Sequence, residues 1–457
     1  MYTYLLLLIV IVYLVFTLFY TNGDVSFPGS LILFAYAISM FFLVSEIRLW
    51  DAYISSKTFG IFVCGLTSYL LSSLLSSKFL SRFSISYLKR VSDKNMNVSC
   101  ISLPDVSEFL NYAVILFDII ILIRYYQEVR RSSLSIGSFD SLGEMIGNYH
   151  NAAVFGQLQV GVSRLSTYGF ELMGAFAYCY IYILNIHMIA KKETKLSWKI
   201  LRLIPIILYI LCSVLTGGRN ITLQLICAAI IMNFIMKRIY DPVSRPLNLK
   251  KIIRLALILV IVLILFSQVR GLFGRTNQLD TFDYLAMYMG APIKLFDMFV
   301  ETPGLPNRFW GEETFINVYA YLGSILNDSS MSSLLMNKEF RIYKSYELGN
   351  VYTAFREYYN DFGLMGVIIL SSIHSIFFTT WYCKLIRNHK KSRLLTNKID
   401  LSVVIYSYLS VALIYFSIDD RLFQKFLSLG TFREIIFIIL VIKLLPRLKL
   451  KIVNNQK

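Results

Sequence analysis

The residues best suited to chemistry in this chain are arginines and carboxylates that interrupt long apolar runs. LTGGRNIT, Leu215–Thr222, sets Arg219 between the runs Ile200–Leu215 and Ile221–Met236. VRGLFGRTN places Arg270 and Arg275 around a glycine pair, and VSRLSTYGF contributes Arg164. NVYTAFREYYNDFGLMG gathers Arg356, Glu357 and Asp361 beside Gly363 and Gly366. A turn needs glycine or asparagine, not arginine. The planar guanidinium fork suits bidentate binding of phosphate or carboxylate, whereas a lipid anchor needs only charge. A carboxylate next to such a cation can act as a base toward a hydroxyl, and the neighbouring tyrosines suit stacking on sugar rings. The plainer reading of the last segment is an aromatic belt with Asp361 capping a helix.

Other candidates are weaker. His374 shares a polar seam with Ser371, Ser372 and Ser375, which interior contacts explain. His150 stands alone, and Asp419-Asp420-Arg421 reads as a surface turn before it reads as a divalent-ion site. The chain has no Walker A loop, no GxGxxG after a strand, no HExxH and no CxxC pair. No cofactor and no metal are therefore expected. The six cysteines share no metal-like spacing and read as small apolar side chains.

The elements that must position these groups are membrane spans. Of the 457 residues 56% are hydrophobic and 16% charged, against about 25% charged in soluble domains. Runs near the length of about 20 residues that crosses a bilayer recur at Tyr2–Tyr20, Gly29–Ile47, Phe59–Ser77, Phe109–Ile123, Tyr168–Ala190, Ile200–Leu215, Ile221–Met236, Ile252–Gln268, Phe362–Cys383, Leu401–Ile418 and Gly430–Val441. Backbone polar groups need internal partners in lipid, so helices follow. The expectation is an all-α, polytopic membrane protein with about eleven transmembrane helices forming one membrane domain over 1–457. The first run lacks a basic leader and a cleavage site, and is expected to be an uncleaved helix.

The loops sort by charge. The segments 78–95, 191–199, 237–251, 383–393 and 443–457 are basic and rich in lysine. Placing them in the cytoplasm satisfies the positive-inside rule, explains the net charge of +17 without nucleic acid, and puts LTGGRN outside. The spans are read as nearly free of charge. The outer side then carries few lysines and Arg48, Arg124, Arg130, Arg131, Arg164, Arg219, Arg270, Arg275, Arg308, Arg341, Arg356, Arg421 and Arg433. Structural ion pairs are one account of this set; binding of a phosphorylated ligand is the other. Two outer loops are long, Arg124–Thr167 and Val269–Asp361. Within the second, DYLAMYMGAPIKLFDMFV reads as amphipathic enough to lie at the interface.

Many spans, a large outer loop in the second half, LTGGRN at a hairpin, VRGLFGR opening the big loop and YYNDFGLMGVII closing it together resemble the bacterial O-antigen and oligosaccharide repeat-unit polymerases of the Wzy type. The resemblance implies a GT-C-like, metal-independent, inverting glycosyltransferase of the inner membrane with its active site on the periplasmic face. Its substrates would be oligosaccharides on undecaprenyl pyrophosphate, its surroundings membrane lipid, and its partner a chain-length regulator. Arg219, Arg270 and Arg356 are then expected on the pyrophosphate, with Arg275 and Arg164 as second choices. Asp361, then Glu357, is expected to serve the acceptor hydroxyl. An O-antigen ligase would be expected to show a histidine in the large loop, and 269–361 has none. A lipid-linked oligosaccharide flippase would show charges within spans.

Overall fold

The computed structural model describes residues 1–82, 103–154, 161–240, 280–304, 307–334, 338–388 and 397–445. Among the described residues the regular structure is helical apart from one short hairpin. The first four helices are α1 Tyr2–Tyr20, α2 Pro28–Ser45, α3 Ser56–Arg82 and α4 Glu108–Leu134. The short α5 Leu142–Val154 precedes α6 Arg164–Ile189, α7 Leu196–Leu215 and α8 Arg219–Tyr240. The described part of the long second loop holds α9 Thr281–Met289, α10 Ala291–Glu301, α11 Ile316–Leu326, α12 Ser329–Ser332 and the hairpin β1 Arg341–Tyr343 with β2 Tyr346–Gly349. The chain continues as α13 Phe355–Asn388, α14 Leu401–Leu409, α15 Val411–Tyr415, a π-helical turn Leu422–Phe426 and α16 Leu429–Leu444.

Eight of the described helices, α1 to α4, α6 to α8 and α13, are long and apolar enough to cross a membrane. The expected eleven are otherwise accounted for as follows. Ile252–Gln268 lies outside the described residues. The run Leu401–Ile418 is broken: Ser407 Oγ donates to Val403 O at 2.8 Å and Ser410 Oγ to Ser407 O at 2.9 Å, and such back-bonding bends a helix. The sixteen residues of α16 rise about 24 Å, against a bilayer core of about 30 Å, and the residues after 445 lie outside the described ones.

Helix starts follow local chemistry. Ser107, Ser163, Asp400 and Ser428 each accept a hydrogen bond from a first-turn backbone N–H, and Pro28 sits where its missing N–H costs nothing. α3 and α13 touch closely: a Cβ on Gly65 would stand 2.5 Å from Phe355 Cζ. α6 is the most enclosed span, packed on α4, α7, α8 and α16. α1, α2, α3, α9, α10 and α13 form a second group, and α8, α14 and α15 join the two.

Polar contacts gather at two ends. At one, rich in lysine, Arg238 pairs with Asp24 at 3.6 Å and Arg202 with Asp105 at 3.0 Å, while Arg387 donates to Leu80 O. At the other, Tyr343 donates to Asp51, Ser55 N to Asp297, Asn317 to Gln424 O, and Arg433 pairs with Glu171. The described loops thus alternate between the two ends.

Three expectations need correction. The segment Ala291–Val300 is buried, not interfacial; Lys294 and Asp297 enter the interior because they pair at 3.7 Å, and because Asp51 O accepts from Lys294 and Asp297 accepts from Ser55 N. The spans are not nearly free of charge, since Asp118, Glu171 and Arg202 are buried in them. Finally, α13 begins at Phe355, so Arg356, Glu357 and Asp361 are helical, and the expected start at Phe362 coincides instead with a break at Gly363 (φ 64°, ψ −156°), a conformation that glycine tolerates.

Candidate functional site

The first turn of α13 is fixed from several sides. Arg356 N–H bonds to Thr353 O at 2.9 Å, Ala354 N–H to Phe416 O at 3.1 Å, and Phe355 fits among Tyr36, Phe62 and Phe416. Arg356 is thereby pressed inward, 2% exposed, its guanidinium 3.6 Å from the Phe299 ring centre. Its two terminal nitrogens are engaged, Nη1 donating to Glu313 and Nη2 to Glu339 Oε2 at 3.0 Å, while the buried Nε has no hydrogen-bond partner among the described residues. Lys338 pairs with the buried Glu357, whose Oε2 has no hydrogen-bond partner among the described residues.

Behind this layer lies the turn 419–421. Asp419 holds Lys425 at 2.7 Å and Arg421 at 3.1 Å. Asp420 accepts from Leu422 N–H at 3.0 Å and Phe423 N–H at 3.2 Å through Oδ1, leaving Oδ2 unpartnered among the described residues. The Tyr358 hydroxyl stands near Asp420 but outside hydrogen-bond geometry. This is no surface turn: Asp420 is buried because the π-helical turn folds over it and supplies its donors.

Asp361 has a different task. Asn307 Nδ2, Glu313 N–H (3.3 Å) and Thr314 N–H (2.7 Å) all donate to its carboxylate, which clamps the loop around 307–314 onto α13. Beside it Trp310, 75% exposed, leans on Phe362 and Phe315 and offers an aromatic face at the rim.

The electrostatics divide the carboxylates into two kinds. Burial works against charge on Asp419, but Lys425, Arg421 and Lys338 hold its carboxyl below the usual range. Burial likewise opposes charge on Glu339, and Arg356 and Arg341 prevail there too. Asp420 goes the other way, pushed up to about 7 by burial and by Asp419 next to it. Burial also raises Glu313 despite Arg356 and Lys338. The cluster therefore offers both an ionised carboxylate and one that exchanges a proton near neutrality, the pairing acid–base chemistry requires.

Of the residues expected from sequence, Arg356, Glu357 and Asp361 come together here. Arg219 opens α8 two residues after Gly217 (φ +70°). Arg164 is exposed at the first residue of α6, without an ion pair among the described residues. Arg270 and Arg275 lie outside the described residues. His150 packs on the LTGGRN hairpin, Nδ1 3.3 Å from Thr216 O. His374 sits in an aromatic box of Tyr69, Phe378 and Phe416. Sequence reasoning missed Glu313, Lys338, Glu339 and Trp310, and it dismissed Asp420. Their sole signal was charge or aromaticity in a long loop, since no spacing relates them.

Fold and site define an all-α protein built to sit in a membrane, capped at one end by a buried network of ion pairs. Comparison with protein-family models, with curated proteins and with solved structures finds no match.

Proposed function

We propose that this chain is a membrane glycosyltransferase of the polymerase kind, joining oligosaccharide repeat units carried on undecaprenyl pyrophosphate at the periplasmic face of a bacterial inner membrane. The observation that carries the reading is the buried network at the arginine-rich end, where Glu357 Oε2 and Asp420 Oδ2 lack partners among the described residues, beside Lys338, Arg356 and Arg421. In the reaction the acceptor hydroxyl attacks the anomeric carbon and the C–O bond to pyrophosphate breaks. The hydroxyl proton passes to a carboxylate, and lipid pyrophosphate leaves. Glu357 or Asp420 suits the proton acceptor better than Asp361, whose oxygens already take three donors. Arg356 is neutralised by Glu313 and Glu339 and so serves as an organiser of the network. Arg219 and Arg164, with Arg270 and Arg275, remain the candidate pyrophosphate ligands; preorganised donors at a developing charge are worth about 3–4 kcal/mol each.

A second reading, the O-antigen ligase, is favoured by one contact: His150 touches the hairpin that carries Arg219 so tightly that a Cβ on Gly217 would lie 2.4 Å from His150 Cβ. Deleting the chain and separating cell-surface lipopolysaccharide on a gel distinguishes the two. A polymerase deletion leaves core bearing a single repeat unit, and a ligase deletion leaves no surface repeat. An unchanged ladder contradicts both.

A further inference from the structure

A groove lies at the opposite, lysine-rich end, between α6, α7 and α8, with a volume of about 890 Å³, in the range of ligand-binding clefts. Its walls are apolar: Leu184 and Met188 from α6, Leu203 and Ile206 from α7, Leu225 and Ala229 from α8. Its mouth is cationic. Lys191, Lys192 and Lys199 line it against a single Glu193, all are exposed, and no ion pair to these lysines occurs among the described residues.

Two features go beyond a generic basic loop. Lys191 adopts φ +51° at the end of α6, where Lys192 N–H reaches back to His187 O at 3.1 Å. Glycine ordinarily fills that position, so a lysine there is held in a costly conformation that places its side chain at the mouth. His187 lines the same groove and is 5% exposed. Its Nε2 meets Pro104 O at 3.2 Å, while Nδ1 has no partner among the described residues. With Nε2 donating to that carbonyl, Nδ1 is an acceptor in want of a hydroxyl.

We propose that this groove binds one phosphatidylglycerol-type lipid, with acyl chains along the apolar walls, the phosphodiester among Lys191, Lys192 and Lys199, and a headgroup hydroxyl on His187 Nδ1. A zwitterionic lipid would leave the three cations uncompensated, and free phosphate would leave the apolar walls uncovered. The site is remote from the network on α13 and does not depend on the function proposed for it.

The test uses the purified full chain in neutral detergent, stripped of lipid, with phosphatidylglycerol or phosphatidylcholine added and bound lipid counted by native mass spectrometry. The wild type should prefer phosphatidylglycerol by tenfold or more, at about fivefold per lysine. The variant K191Q/K192Q/K199Q, altered only at exposed positions, should lose that preference. K195Q, an exposed neighbour outside the groove, should keep it. Ala229→Phe, with circular dichroism confirming the fold, should block binding while every lysine remains. Equal binding of both lipids by the wild type, full preference in the triple variant, an equal loss in K195Q, or displacement of the lipid by inorganic phosphate at matched concentration would each overturn the proposal.

Discussion

Replacing Lys338 by methionine removes the cation that compensates Glu357. The Glu357 side chain is fully buried and that of Lys338 10% exposed, so water cannot take over the role. Removing one partner of a buried pair costs about 3–5 kcal/mol. Asp419 and Asp420 act on Glu357 as well and make its uncompensated charge worse, so Lys338→Met should sit at the upper end. Glu357→Leu should cost less, because Lys338 keeps Asp419 and Glu313 as electrostatic neighbours. Replacing both at once exchanges an ion pair for apolar contact, which is often near neutral. The double variant should therefore lie within about 1 kcal/mol of the wild type, with a coupling energy of about 2–4 kcal/mol. Denaturant unfolding in detergent, followed by near-ultraviolet circular dichroism, measures the cycle. Two single losses below about 0.5 kcal/mol that simply add would refute the buried-pair reasoning. Polymer formation by the folded double variant then shows whether Glu357 acts chemically: loss of product with retained stability assigns it the proton, and retained product restricts it to the pair.

Three further outcomes follow from the same geometry. Asp420, raised to about 7, holds its proton in the folded chain over a range where the unfolded chain has lost it. Stability should therefore fall as pH rises from about 4 to 7, by up to about 1.4 kcal/mol per unit; Asp420→Asn should flatten that slope in melting curves, and an unchanged slope would contradict the assignment. A Cβ on Gly290 would lie 2.7 Å from Leu43 N and 2.8 Å from Phe42 C, so Gly290→Val should push α9 and α10 off α2 at a cost of about 1–3 kcal/mol. Faster proteolysis within 280–304 would report it, and wild-type resistance would count against it. Arg219→Lys keeps the charge but loses the fork, and should lower polymer yield about tenfold or more at normal protein level. Unchanged yield and chain length would reduce Arg219 to an anchor.

The spans were legible because a bilayer imposes one length on every crossing helix, and because lysine-rich loops mark alternate ends. The break at Ser410 was not, since it depends on which way two serine hydroxyls turn. Nor was the burial of Ala291–Val300: Lys294 looks interfacial until Asp51 and Asp297, one of them far away in sequence, are seen to satisfy it. The site was half legible. Arg356, Glu357 and Asp361 stand out within one short stretch, but their division of labour depends on Glu313, Lys338, Glu339 and Asp420, which only the fold brings to them. A carboxylate pair in a two-residue turn reads as solvated by default, and what buries Asp420 is a backbone turn that follows it.

The most direct test of the central claim is reconstitution. The purified chain in liposomes is given oligosaccharide repeat units on undecaprenyl pyrophosphate, with no nucleotide and no other enzyme. Polymer on a gel and released undecaprenyl pyrophosphate are measured together. The account predicts longer glycans with one carrier released per linkage formed, and loss of both signals when Arg219 and Arg164 are replaced by alanine. No polymer from intact substrate with correctly folded protein, or carrier release without any new linkage, would contradict it.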